Sequence, residues 1–244
     1  MAVVWAIVRR ELIAHFTAPL AWLVLAVWTL TTNLAFILAL PEADAFSAMP
    51  LYVASLQTGF VVLLLLGPAL TMNSFASEQV QGTMQLLLTV PVREWALVLG
   101  KFLAALAMFL VLVAATAPQL VVVHFISDLG GWHVVSGYSG MILFSALCAA
   151  LGTWISLLVP QPVTAYVITF GLLVVFTLLG LHAQMHPVGE GFFHHLSAAL
   201  GLGPRIGGFI VGLPRLADVL WFIAGTLACL VLAHGALLTR RLHG

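Results

Sequence analysis

Six stretches of the chain read as almost unbroken apolar sequence, and the short joints between them carry most of the polar side chains. The stretches cover about residues 20–40, 55–75, 95–123, 138–159, 163–181 and 216–238. Each approaches or exceeds the ~20 residues that an α-helix needs to cross the ~30 Å apolar core of a bilayer. Pro41, Glu42, Asp44 and Pro50 mark the first joint, and His124, Asp128, Gly130 and Gly131 mark the one after the third stretch. Pro160-Gln161-Pro162 is so short a joint that the fourth and fifth helices must form an antiparallel hairpin. Within the second stretch Gly67-Pro68 predicts a bend, because proline has no amide hydrogen and its ring clashes with the preceding turn.

Two segments do not fit a span. Residues 2–17, AVVWAIVRRELIAHFT, place apolar positions at helical spacing around Arg9, Arg10 and Glu11. This suits a helix lying along the membrane surface, or simply a charged flank that sets orientation. The apolar segment behind it is about twenty residues long and has no evident small-residue cleavage site, so it reads as a retained span rather than a signal peptide. Residues 182–215 are the second such segment. Their LSAALGLGPRIGGFIVGL portion is apolar but glycine-rich, and predicts one or two short helices dipping part-way into the bilayer. Gly203 with Gly207, and Gly208 with Gly212, have the spacing that permits close helix packing.

Composition confirms the class. Of 244 residues 63% are hydrophobic and 7% charged, against roughly a quarter charged in soluble domains, so the expectation is an all-α polytopic membrane protein of one domain. The formal net charge of zero offers nothing to nucleic acid. Cys148 and Cys229 fall inside apolar stretches and read as small buried hydrophobes. Charge placement supplies topology: Arg9, Arg10, Arg93, Lys101, Arg240 and Arg241 fall on one face. The other face has Arg205 and Arg215 together with Glu42, Asp44, Asp128, Glu190 and Asp218. By the positive-inside rule the first face, with both termini, is cytoplasmic.

The one polar interruption that calls for a task is residues 75–101, FASEQVQGTMQLLLTVPVREWALVLGK, with Glu78, Arg93, Glu94 and Lys101. Its first half is helix-compatible and broken at Gly82-Thr83; Pro91 ends it and can open the next helix, whose first turn Glu94 complements. A short helix presenting Met84, Leu87 and Leu88 between single charges suits a groove on a soluble partner, or else rests on lipid. The chain has no phosphate-binding loop of its own: Gly100-Lys101 is preceded by apolar helix and followed by Phe102, where Ser or Thr would be needed. Catalytic residues are not evident, and no span carries the deep ionisable group that a proton- or ion-coupled carrier needs.

Other constellations are weaker. His182 and His186, four residues apart with His194-His195 soon after, have a spacing that can share a metal ion, but Pro187 interrupts the helix and, among carboxylates and cysteines, only Glu190 could complete a ligand set. Asn33, Thr116 and Gln119 lie in or near spans and serve either a transport path or interhelical hydrogen bonds.

The string FASEQVQGTMQLLLTVPVREWALVLGKFLAAL resembles the signature of ABC-2 type transporter permeases, particularly the gliding-motility-type branch. GFIVGLPRLADVLWFIAG with the later TRRL is similar to that branch's final external segment and last span. The resemblance implies a coupling helix within residues 75–92, seated on a separate ABC ATPase, with Glu78, Gly82, Thr83, Met84, Leu87, Leu88, Pro91 and Arg93 at the contact. It also implies an elbow helix over residues 2–17 with Arg9, Arg10 and Glu11, a second permease subunit forming a homo- or heterodimer, and an accessory membrane or periplasmic subunit as a further partner. ATP and magnesium are then held by the ATPase, not by this chain, and the complex sits in a bacterial-type inner membrane, with export the expected direction. Where family members often follow the glutamate with a basic residue, this chain has Gln79-Val80-Gln81, which leaves ionic contact to Glu78, Arg93 or the N-terminal arginines. Two other readings stay open: a membrane anchor that transmits ATPase work to an external machine, and a metal-handling permease.

Overall fold

The computed structural model describes residues 2–40, 49–84, 93–126, 131–186 and 191–243, and among these the chain is all-helical. The helices are α1 (Ala2–Thr17), α2 (Pro19–Leu38), α3 (Met49–Thr71), α4 (Ala76–Val80), α5 (Glu94–Ala114), α6 (Ala117–Ile126), α7 (Gly131–Leu158), α8 (Pro162–Met185), α9 (Phe192–Leu200), α10 (Gly203–Ile210) and α11 (Leu216–His243). Among the described residues six segments are long and apolar enough to cross a membrane: Pro19–Leu38, Leu51–Val80, Glu94–Phe125, Gly131–Leu158, Pro162–Met185 and Leu216–Arg241. Pro19 and Pro162 open α2 and α8 at positions where a missing amide hydrogen costs nothing.

The expected number and order of spans hold, while several boundaries move. The third span is two helices, α5 and α6, broken at Ala115-Thr116, where the Thr116 hydroxyl turns back to the Val113 carbonyl at 2.7 Å and meets Tyr138 at 2.9 Å. The fourth begins at Gly131, not Tyr138, because its first turn finds partners: Trp132 Nε1 donates to the Gly212 carbonyl at 2.9 Å, and Tyr52 donates to the His133 carbonyl at 2.6 Å. The second span starts earlier than expected, and its helix α3 runs through Pro68 and ends at Thr71.

α7 is the central helix: 72% of its most apolar window is buried, against 22% for α8. It packs against α3, α5, α8, α10 and α11. Small residues make that possible, as at Gly152, where a Cβ would fall 1.9 Å from Thr71 Oγ1. Hydroxyls inside the spans are satisfied by their own helices: Thr32, Thr153, Thr169 and Thr226 each donate to the carbonyl four residues back. Gln119 of α6 bonds both Asn33 of α2 and Ser55 of α3: its Nε2 donates to Asn33 Oδ1 at 3.3 Å, and its Oε1 accepts from Ser55 Oγ. Of the two roles open to Asn33, Thr116 and Gln119, the interhelical bonds are therefore present.

On the face opposite α4, α9 and α10 are the two short helices expected after residue 182. Phe209 of α10 is buried edge-on to Phe222, its ring 6.1 Å away. Arg205 pairs with Asp218 at 3.0 Å and lies 4.7 Å from the Trp221 ring centroid. Gly203 abuts the backbone of Gly180, Gly208 faces the Leu213 carbonyl, and Gly212 takes a positive φ of 81° beside His133, whereas Gly207 has no close neighbour among the described residues.

Candidate functional site

The helix α4 is only five residues long, and no residue at its own N-terminus caps it. The cap comes from another span. Ser156 Oγ, near the end of α7, accepts the backbone N–H groups of Phe75 and Ala76 at 2.8 and 3.0 Å and donates to the Met72 carbonyl at 3.1 Å. Gln79 returns the favour: its amide Nε2 donates to the Ser156 and Leu157 carbonyls at 3.2 and 2.9 Å. Each helix end thus satisfies backbone groups that the other leaves orphaned. Gln79, which departs from the basic residue common in the resembling family, has this work to do.

A charge cluster makes the second fastening. Lys101 is the one lysine of the chain, and its side chain is 2% exposed. Its Nζ lies 3.0 Å from Glu78 Oε1 and 3.2 Å from Glu11 Oε1, bonds the Ser74 carbonyl, and sits 4.8 Å from the Phe75 ring centroid. Arg10 bonds both carboxylates, reaching Glu78 Oε1 at 3.0 Å. Two cations and two carboxylates from α1, α4 and α5 so compensate one another in a place where an unpaired charge would be very costly. Glu78 Oε2 is buried and has no hydrogen-bond partner among the described residues.

The electrostatics follow from this geometry. Burial pushes the Glu11 carboxyl upward, but Lys101 and Arg10 together outweigh it and hold Glu11 below its ordinary value. The hydrogen bond to Glu11 and the two carboxylate charges raise Arg10 against its own burial. Burial holds His15, one turn beyond Glu11, below its ordinary value, with the Glu11 charge opposing and the Lys101 charge assisting.

The third fastening is steric. α1 lies directly on α5 because Gly100 has no side chain; a Cβ there would fall 2.7 Å from Ile7 Cγ2. The Leu-Gly-Lys run therefore has a physical meaning in this chain: glycine admits α1, and the lysine beside it holds α1 and α4 by charge.

What α4 leaves exposed is its far end. Val80, Gln81, Gly82 and Thr83 are all exposed, and Gly82 takes the left-handed φ of 70° that terminates the helix, its N–H bonding the Gln79 carbonyl at 3.2 Å. Met84 then turns inward and is buried, which corrects the expectation of an exposed methionine; it joins the main core instead. Glu78 likewise faces inward, engaged with Arg10 and Lys101. Leu87, Leu88 and Pro91 lie outside the described residues. Arg93 is exposed and precedes α5, its carbonyl accepting Ala96 N–H at 2.9 Å. Glu94 pairs with Arg241, and Trp95 stacks on His234 with centroids 4.2 Å apart, so the start of α5 is tied to the end of α11.

Of the expected elbow residues, Arg10 and Glu11 enter the cluster, while Arg9 is exposed on the other side of α1. The remaining imidazole pair is close, with His182 and His186 centroids 4.9 Å apart. Among the described residues no group of three or more His, Cys, Asp or Glu is arranged to hold a metal, and Glu190 lies outside them. Sequence reasoning missed Ser156 altogether. Its only signal was the absence of a capping residue before α4.

A family model described as ABC-2 family transporter protein matches residues 5–187. No curated protein matches the chain.

Proposed function

The chain belongs to the ABC-2 transporter family and is a membrane-spanning permease subunit, and from that premise we propose that the exposed tip following α4, residues 80–83, is the surface on which a separate ABC ATPase pushes. The single observation that carries this reading is that α4 is fastened to three other elements while its tip, Val80 to Thr83, stays exposed. A displacement at the tip passes to α7 through Ser156 and Gln79, to α5 through Lys101, and to α1 through Arg10. Because packed helices shift as discrete bodies and do not deform continuously, such a push is converted into rearrangement of the spans. In this reading Val80 and the polar groups of the tip meet the ATPase, and the inward charges supply rigidity.

The arginine-rich face, with both termini, is cytoplasmic in this proposal, the membrane is a bacterial-type inner membrane, and two copies of the chain assemble with two ATPases that bind ATP and magnesium. The branch is the gliding-motility type and the direction is export. The test uses an ABC ATPase from the same genome, co-expressed and co-purified with the chain. Val80→Asp with Thr83→Lys is expected to abolish co-purification and stimulated ATP hydrolysis while leaving the permease folded. Retention of both by that double variant would sink the proposal.

A further inference from the structure

The outer face of α1 has no role in fastening α4. Trp5, Arg9, Ile13 and Phe16 recur at helical spacing on the side turned away from Ile7 and Glu11, and all four are exposed. Arg9 makes no ion pair or hydrogen bond among the described residues, in contrast to Arg10 beside it. A lone guanidinium in the middle of an apolar stripe suits neither bulk water nor lipid tails; it suits the boundary between them, with its aliphatic stem among apolar groups and its head at the phosphates. Two further features place the stripe at that boundary. Only Ala18 separates the end of α1 from the start of the span α2. Trp22 in its first turn donates its indole N–H to the Phe16 carbonyl at 2.8 Å, as amphipathic aromatics do at membrane interfaces.

Beside the stripe runs a groove of about 710 Å³ between α1 and α5. Val4, Val8 and Leu12 form one wall and Leu99, Leu103 and Ala107 the other, and Trp5 stands at the ridge shared with the Arg9 side. Its volume is in the range of small-ligand sites, ~300–1,000 Å³. Its walls are apolar, so its occupant there is a hydrocarbon chain, while the cation beside it calls for an anion. An arginine fork matches phosphate oxygens in a way that a point charge does not.

We propose that α1 and α5 together hold one anionic phospholipid of the adjoining leaflet, its phosphate on Arg9 and an acyl chain in the groove. This stands independently of the coupling role of α4.

The test is lipid retention by the full chain purified in detergent, read by native mass spectrometry with dioleoyl-phosphatidylglycerol and dioleoyl-phosphatidylcholine. Phosphatidylglycerol should be retained about fivefold better, the order expected of one basic side chain at an anionic surface. Arg9→Gln should remove that preference, with Arg93→Gln, an exposed arginine elsewhere, leaving it intact. Ala107→Trp, which fills the groove, should reduce retention of both lipids. Brominated-chain phosphatidylglycerol should quench the fluorescence component that Trp5→Phe removes, a readout that needs no groove variant to fold. Equal retention of the two lipids, an unchanged preference in Arg9→Gln, absence of quenching, or competition by chainless glycerophosphoglycerol as effective as by the full lipid would each overturn the assignment.

Discussion

Lys101 Nζ lies 3.0 Å from Glu78 Oε1, a contact that joins α5 to α4 across 22 intervening positions of sequence and buries the chain's one lysine. Removing the lysine leaves Glu78 and Glu11 close together with only Arg10 to neutralise them. Lys101→Met should therefore cost about 3–5 kcal/mol, the order observed when one partner of a buried pair is deleted. Glu78→Gln should cost less, since Glu11 still faces the lysine, and the double variant should recover part of the loss. Unfolding in detergent measures all three. An amine-reactive reagent gives a second check: in the folded protein it should spare Lys101.

Gly100 is expected to be intolerant because its neighbour is fixed. Gly100→Leu should undock α1 and expose residues 2–17 to protease, and Gly100→Ala should cost about 1–3 kcal/mol, the usual scale of overpacking. Ile7→Ala removes Cγ2, the nearest atom that a new Cβ would strike, and leaves only Ile7 Cβ at 2.9 Å. It should partly rescue Gly100→Ala; failure to do so would show that the α1–α5 contact is not governed by that clash.

Ser156→Ala deletes the acceptor of two buried backbone N–H groups. A loss of about 1–3 kcal/mol is expected, that of leaving buried donors unsatisfied. Hydrogen exchange resolves it further: protection at Phe75 and Ala76 should fall, while that of α7 before residue 150 stays.

The tip of α4 depends on a left-handed backbone at Gly82, where nothing among the described residues crowds a side chain. The cost of substitution is then conformational alone. Gly82→Asn, which tolerates that region, should be nearly neutral, and Gly82→Val should lose on the order of 1–2 kcal/mol.

Docking of α1 should weaken in acid, for two reasons of the same sign. His15 is held below its ordinary value near 6.5, so between the two values the unfolded chain binds more protons and stability rises with pH. Its contribution is complete above 6.5 and declines as pH falls through the depressed value. Glu11, held below its ordinary 4.5, behaves alike in a lower window. Protease protection of α1 should therefore be constant above about pH 6.5, decline below it, and decline again below 4.5. His15→Gln should abolish the first step only.

The spans were legible because a bilayer leaves no alternative: apolar runs of that length must satisfy their backbone internally, and the joints are marked by proline, glycine and charge. The break at Gly82 and the polar character of residues 75–101 were legible for the same local reasons. Boundaries at Gly131 and Ala115-Thr116 were not, because Trp132, Tyr52 and Tyr138 settle them through partners on other helices. Met84 looked like a surface anchor because its polar neighbours surround it in sequence, yet the turn at Gly82 folds it into the core.

By itself, then, the sequence determined an all-helical, six-span chain with one long polar segment between the second and third spans, since hydropathy and helical period act over neighbouring residues. Only the tertiary structure decided that α4 is capped by Ser156, 80 positions from Ala76, and held by the Lys101 that also binds Glu11, 90 positions away. A capping bond or a buried ion pair is short-ranged in space and indifferent to distance along the chain, so no local pattern can announce it.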